Sequence, residues 1–198
     1  TTPEGLTIQK DGSIKELTDP GIKNLKKAVK KFTENLEGDW SVYVKDLKSG
    51  EKFSINDKAM SSASLIKAFT MAASYENMEK IRIAEGMLLK ADSASQTVTD
   101  KLFRLMENMV TYSDNESFNE MVRLQTASNQ FNAGARVINR YLREQGYKET
   151  AVLHTLAPSN TDSEGIGSSN MTSVEDCGTL LEKIYRRECV SPEDSDQM

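Results

Sequence analysis

One lysine sits where a lysine is costly. In Ala59-Met60-Ser61-Ser62-Ala63-Ser64-Leu65-Ile66-Lys67-Ala68-Phe69-Thr70-Met71-Ala72-Ala73, Lys67 is the only charge. A helix that is apolar on nearly every side is a buried helix. A buried ammonium must find partners or give up its proton, a cost that suits a lysine used as a base. Ser64 lies three residues earlier, and positions i and i+3 share a helix face. A serine hydroxyl becomes a nucleophile when an adjacent base takes its proton, and free N–H groups at a helix start can hold an oxyanion. Ser64 and Lys67 are therefore the candidate nucleophile and base of an acyl transfer.

The plainer readings are definite too. Ser-x-x-Lys recurs at Ser49-Gly50-Glu51-Lys52, where it reads as a surface turn. Tyr112-Ser113-Asp114-Asn115 holds a second polar cluster, yet Ser113-x-x-Glu116 also reads as a capping box that opens a helix at 115. Thr172-x-x-Glu175 is another such box, with a purely structural role. Ser-x-Asn recurs at Ser54 and Ser168, so no one of these short patterns decides by itself.

The elements that must position these residues follow from periodicity. Residues 20–37 read as an amphipathic helix on Ile22, Leu25, Val29, Phe32 and Leu36, stopped by Gly38. Trp40, Val42 and Val44 alternate with polar residues, then a turn over 46–50 leads to Phe53 and Ile55, which predicts a hairpin over 40–55. From 61 onward the chain reads helical: residues 64–75, 97–110, 115–125, 130–145 (ended by Gly146) and 173–187. Residues 147–171, with Pro158, Gly165 and Gly167, form a polar connection long enough to suggest a functional loop. Ser191-Pro192-Glu193-Asp194 reads as another helix start. A lone hairpin is a weak sheet. The expectation is one domain over 1–198 with a helical lobe over 61–187, incomplete at its C-terminal end.

Composition narrows the partners. Basic residues number 25 against 30 acidic ones, for a net charge of −5, and 37% of residues are hydrophobic. No basic cluster interleaves with aromatics, which argues against nucleic acid. No run approaches the roughly 18 apolar residues of a membrane span. Cys177 and Cys189 would lie roughly 18 Å apart along a helix, beyond the about 7 Å that a disulfide allows, so both are expected as thiols. His154 is the only histidine and makes no metal site alone.

Taken together, Ser64-Leu65-Ile66-Lys67-Ala68-Phe69, Tyr112-Ser113-Asp114-Asn115 and Asn119 resemble class A β-lactamases and penicillin-binding proteins. The hairpin and Asn170-Met171-Thr172-Ser173 with its helix are similar to the same family, so the resemblance runs in order along nearly the whole chain. It implies an α/β fold in which a large helical lobe packs on a sheet, here short of its C-terminal strands. It implies Ser64 as the acylated nucleophile and Lys67 as its base or proton relay. Ser113 would shuttle a proton to the leaving nitrogen, and Asn115 would hold Lys67 and the substrate amide. The Ser64 N–H would be half of the oxyanion hole. The implied partners are a small-molecule β-lactam or a peptidoglycan-like peptide, outside the cytoplasm, with no metal or organic cofactor.

Two departures qualify that picture. The family's loop carries Glu-x-x-Leu-Asn, whose Glu activates the deacylating water. The nearest match is Glu149 to His154, one residue out of step, and Glu149 reads as a surface residue beside Lys148. The family's Lys-Thr-Gly strand is absent: either it belongs to a further segment or a separate chain, or this form is inactive. Three readings stay open: a β-lactam-hydrolysing enzyme, a slow-deacylating penicillin-binding protein or D,D-peptidase, and a non-catalytic binding domain on the same fold.

Overall fold

The computed structural model describes residues 6–8, 14–16, 21–89, 94–157 and 163–198. Pro158 and the first five residues lie outside them. The chain divides into two units, Thr1–Asn56 and Asp57–Met198.

In the first unit, β1 (Leu6–Ile8) pairs antiparallel with β2 (Ile14–Glu16), a ladder too short to leave a sequence signal. Helix α1 (Gly21–Thr33) is shorter than its periodicity predicted. The Asn35 side chain takes the Lys31 carbonyl at 2.6 Å as the helix unwinds, and Gly38 turns the chain at φ +100°. The predicted hairpin is present as β3 (Val42–Lys45) and β4 (Lys52–Ile55), in register from Val42 opposite Ile55 to Lys45 opposite Lys52. Asp46 builds its turn by accepting from the Lys48 and Ser49 N–H groups at 2.9 and 3.1 Å, as short acidic side chains do at turns. The Ser49–Lys52 segment is the surface turn expected of it.

The second unit is helical, with a small ladder at its edge. Strand β5 (Met60–Ser61) leads through a 3₁₀ turn (Ala63–Leu65) into α2 (Ile66–Glu76). Helices α3 (Met78–Leu89), α4 (Ala94–Thr111), α5 (Asn115–Arg123) and α6 (Phe131–Glu144) follow. Strand β6 (Met171–Thr172), α7 (Val174–Tyr185) and α8 (Pro192–Gln197) complete the unit. Helix α2 is central. It packs against α3, α4, α5 and α6, and all of its residues but Ala68 and Glu76 are buried. The core around it joins Ile66 and Phe69 to Leu102 and Met109, Phe118 and Met121, and Phe131 and Ile138. Helices α5 and α6 meet so closely that a Cβ at Gly134 would lie 1.7 Å from the Val122 carbonyl oxygen.

The structure corrects the sequence reading in four places. Asn77 separates α3 from α2, its side-chain amide bonding the Ala73 carbonyl and Gln125 Oε1, both at 3.1 Å. Residues 147–171 are partly ordered into a ladder: Ala151 bridges Met171, His154 bridges Gly165, and Met60 and Ser61 pair with Thr172 and Met171. Neither expected capping box forms. The cap of α5 is Asp114, which accepts from Ser117 N at 2.6 Å, and the cap of α7 is Ser173, which accepts from Asp176 N at 3.2 Å. The start at Ser191 is as expected, with Ser191 accepting from Asp194 N and Pro192 in the first turn. Both cysteines are free. Among the described residues, no helix is long and apolar enough to cross a membrane.

Candidate active site

Ser64 is held at a junction. On its N-terminal side, β5 is pinned to β6 and Ser62 N–H donates to the Asn170 carbonyl at 2.9 Å. Ala63 then takes φ +43°, a left-handed conformation uncommon for a residue with a Cβ. The turn sets Ser64 in the 3₁₀ segment that opens α2, with its side chain exposed at the surface. Lys67 lies one turn further on and points inward, only 2% exposed. The two share a face, as the i, i+3 spacing predicts, with the Ser64 hydroxyl exposed and the Lys67 amine buried beneath it.

Four oxygens surround Lys67 Nζ. Ser113 O lies at 2.6 Å, Asn115 Oδ1 at 2.7 Å, Ser113 Oγ at 3.0 Å and Ser64 Oγ at 3.2 Å. Ser113 Oγ in turn donates to Ser64 Oγ at 2.9 Å. Ser113 reaches Lys67 with both backbone and side chain because its own φ is +56°. The α4 terminus builds that turn: Tyr112 and Asp114 both donate to the Asn108 carbonyl, at 3.2 and 3.1 Å. Asn115 begins α5 and directs its carbonyl oxygen at the amine. The four residues singled out by the sequence, Ser64, Lys67, Ser113 and Asn115, thus meet in one cluster.

The electrostatics follow from burial. Desolvation pushes the Lys67 amine below its ordinary value of 10.5, and the Asp114 carboxylate opposes that shift. Asp114 is itself held below its ordinary value by bonds from Ser117, first the hydroxyl and then the backbone N–H, with Lys67 adding to them. The hydrogen-bond inventory shows what a neutral amine would do here. Ser113 O and Asn115 Oδ1 are obligate acceptors at the shortest distances, and they take its two N–H groups. Its lone pair is then left for the Ser64 hydroxyl proton. The site opens on a cavity of about 580 Å³ whose walls include Ala63, Leu65, Ala68, Met109 and Val110.

The loop after α6 is tied down by buried side chains whose clamping role the sequence did not disclose. Asn139 clamps Val152 at N–H and carbonyl, both at 2.7 Å. Asn170 accepts from Leu153 and His154 N–H and donates to the His154 carbonyl at 2.8 Å. Asn119 clamps Leu156 in the same manner, accepting from its N–H at 2.9 Å and donating to its carbonyl at 3.2 Å. Asp176 accepts from Lys148 N, Glu149 N and Thr150 Oγ1. Each clamp spans many residues of chain, so only Asn119, through its place four residues after Asn115, could have been found from spacing. Glu149 is exposed and lines a separate cleft with Asp57, Glu175 and Asp176. His154 is a loop residue, with Nδ1 at 2.9 Å from the Thr155 carbonyl and Nε2 at 3.1 Å from Ser163 Oγ. Among the described residues, no group of three His, Cys, Asp or Glu side chains could hold a metal ion.

The fold resembles that of a solved structure described as a halotolerant bacterial beta-lactamase, with a TM-score of 0.59 at 14% identity. The match covers 85% of this chain and 66% of that one, so the chain spans just under two thirds of its relative's length. Among curated proteins, none matches the chain. The beta-lactamase fold is mostly helical here, with small sheets. A family model described as the beta-lactamase enzyme family matches residues 24–198, which takes in the whole Ser64 cluster, and the chain belongs to that family.

Proposed function

We propose that this chain is a serine acyl-transfer enzyme that opens β-lactams, or cleaves peptidoglycan-like peptides, through an acyl-enzyme on Ser64. The observation that carries the reading is the placement of one buried amine within hydrogen-bond reach of two hydroxyls, while two obligate acceptors hold its N–H groups. Lys67 takes the Ser64 proton as Oγ bonds to the substrate carbonyl carbon. The oxyanion that forms is stabilised by the Ser64 N–H at the head of α2. On collapse the C–N bond breaks, and Ser113 passes a proton, replenished from Lys67, to the leaving nitrogen. Asn115 keeps the amine in place throughout. These are substrates of the bacterial cell-wall space, so we place the protein outside the cytoplasm.

The test is intact mass against time after a penicillin is added. The expected result is an increment of one drug molecule on the wild-type protein, mapped to Ser64, and none on Ser64→Ala. A wild-type mass that stays unchanged through prolonged exposure would turn the reading toward a binding domain that keeps the fold without the chemistry.

A further inference from the structure

The Ser64 cavity has a neighbour. Val110, one of its apolar walls, also lines a second cavity of about 380 Å³. That cavity lies between α2, which supplies Met71 and Tyr75, and α4, which supplies Phe103, Met106 and Val110. Helical spacing explains the alignment. Ser64, Ala68, Met71 and Tyr75 follow one another by four, three and four residues, so they fall on one side of the helical segment. Phe103, Met106 and Val110 do the same along α4, by three and four. Ser113 comes three residues after Val110. The two stripes therefore form one groove, from the Ser64 hydroxyl to an end lined by Gln197 and Met198. Met71 is seven residues beyond Ser64, roughly 10 Å of helical rise.

Floor and rim of the groove differ. Met71, Tyr75 and Met106 are buried, whereas Phe103 and Val110 are exposed, so an apolar floor lies under an open edge. The tilted rings of Tyr75 and Phe103, with centroids 6.4 Å apart, join α2 to α4 at the far end. Met71, Met106 and Met198 are unbranched side chains that adapt to the shape of what they touch. Charge is sparse. Among the described lining residues, the second cavity has one charged side chain, Glu107, and no cation. The Ser64 cavity has Lys67, which is buried and engaged by four oxygens. Such walls suit an uncharged apolar group, and the volumes lie in the range of small-molecule sites.

We infer that the groove between α2 and α4 binds an apolar tail on the group that acylates Ser64, so that acyl donors with a long uncharged chain react faster than short ones. This deepens the Ser64 reading above and rests on it. The occupant is the substrate's own tail because the second cavity meets the Ser64 cavity at Val110. A p-nitrophenyl alkanoate isolates the step. Lys67 takes the Ser64 proton, and Oγ bonds to the ester carbonyl carbon. The bond from that carbon to the phenoxy oxygen breaks, p-nitrophenolate leaves, and the alkanoyl chain stays on Ser64. The chain then runs along Ala68 and past Val110 towards Met71 and Met106.

The experiment measures first-turnover release of p-nitrophenolate from the acetyl, butanoyl, hexanoyl and octanoyl esters by the wild-type protein, Ser64→Ala and Phe103→Ser. The wild-type rate should climb along the series, by at most about fourfold per methylene buried, and Ser64→Ala should release none above background. Phe103→Ser opens the far end of the groove and should lower the ratio of octanoyl to acetyl rates at least about threefold. The wild-type series tests the inference even if that variant misfolds. A wild-type rate that is flat with chain length overturns the tail site and leaves Ser64 standing, as when a second copy of the chain fills the groove, which a concentration-dependent mass in solution would reveal. A climb that a folded Phe103→Ser keeps in full also overturns it. If wild type releases no more than Ser64→Ala from any ester, the inference falls, and the penicillin adduct on the same preparation decides whether the Ser64 reading falls with it.

Discussion

The starts of α5 and α7 carry the same sequence pattern and do different things with it. Each reads as a capping box, Ser113-x-x-Glu116 and Thr172-x-x-Glu175, and in each the cap moves on by one residue, to Asp114 and to Ser173. The residue released from capping is what differs. Thr172 stays extended in β6, buried, with its hydroxyl 2.9 Å from Thr150 Oγ1. Ser113 goes left-handed, stays exposed, and delivers its carbonyl and hydroxyl to Lys67. A one-residue shift of the cap thus leaves a buried strand residue at one helix and a member of the Lys67 hydrogen-bond cluster at the other. The backbone of the released residue decides which.

The largest effect that could break this comparison is kinetic. Ser113→Ala should slow acylation by a penicillin about 10²-fold or more, the range of a lost proton shuttle, while thermal stability changes by less than about 0.5 kcal/mol, as for a surface change away from a cap. Loss of stability with an unchanged acylation rate would return Ser113 to a structural role. Ser173→Ala should show the opposite signature. Removing that cap should cost about 1 kcal/mol in a thermal or urea melt and leave the acylation rate at the wild-type value.

These two starts also mark what the sequence could disclose. Lys67 was legible because a single charge in an apolar run is a physical anomaly, and its i, i+3 relation to Ser64 follows from helix geometry alone. Ser113 and Asn115 were legible as residues but not as geometry: the side chain that caps is chosen by backbone torsions, and Ser113, Asp114 and Asn115 are all acceptable caps. Strands β1, β2, β5 and β6 span only two or three residues each, too few to show an alternating pattern. The Asn139, Asn170 and Asn119 clamps were hidden for another reason. An asparagine in a helix or loop looks like surface or turn until the chain brings its backbone partner to it, and these partners lie 13 to 37 residues away.

The smallest expected effect separates the cap of α5 from its charge. Asp114→Asn keeps a good cap, so stability near neutral pH should hardly change, but it removes the anion that opposes the downward shift of Lys67. The Lys67 value should then fall further, and the acid limb of the acylation rate, which follows the neutral amine, should move to lower pH. Stability carries the same sign. The folded value of Lys67 lies below its unfolded value, so between the two the unfolded chain binds more protons and stability rises with pH. That rise begins at the folded value and closes near 10.5 in wild type. It should begin at lower pH in Asp114→Asn and vanish in Lys67→Met. A rate profile identical to wild type in Asp114→Asn would mean that Asp114 acts on the site through the shape of the helix start alone. α5 and α7 would then differ only in the residue that precedes the cap.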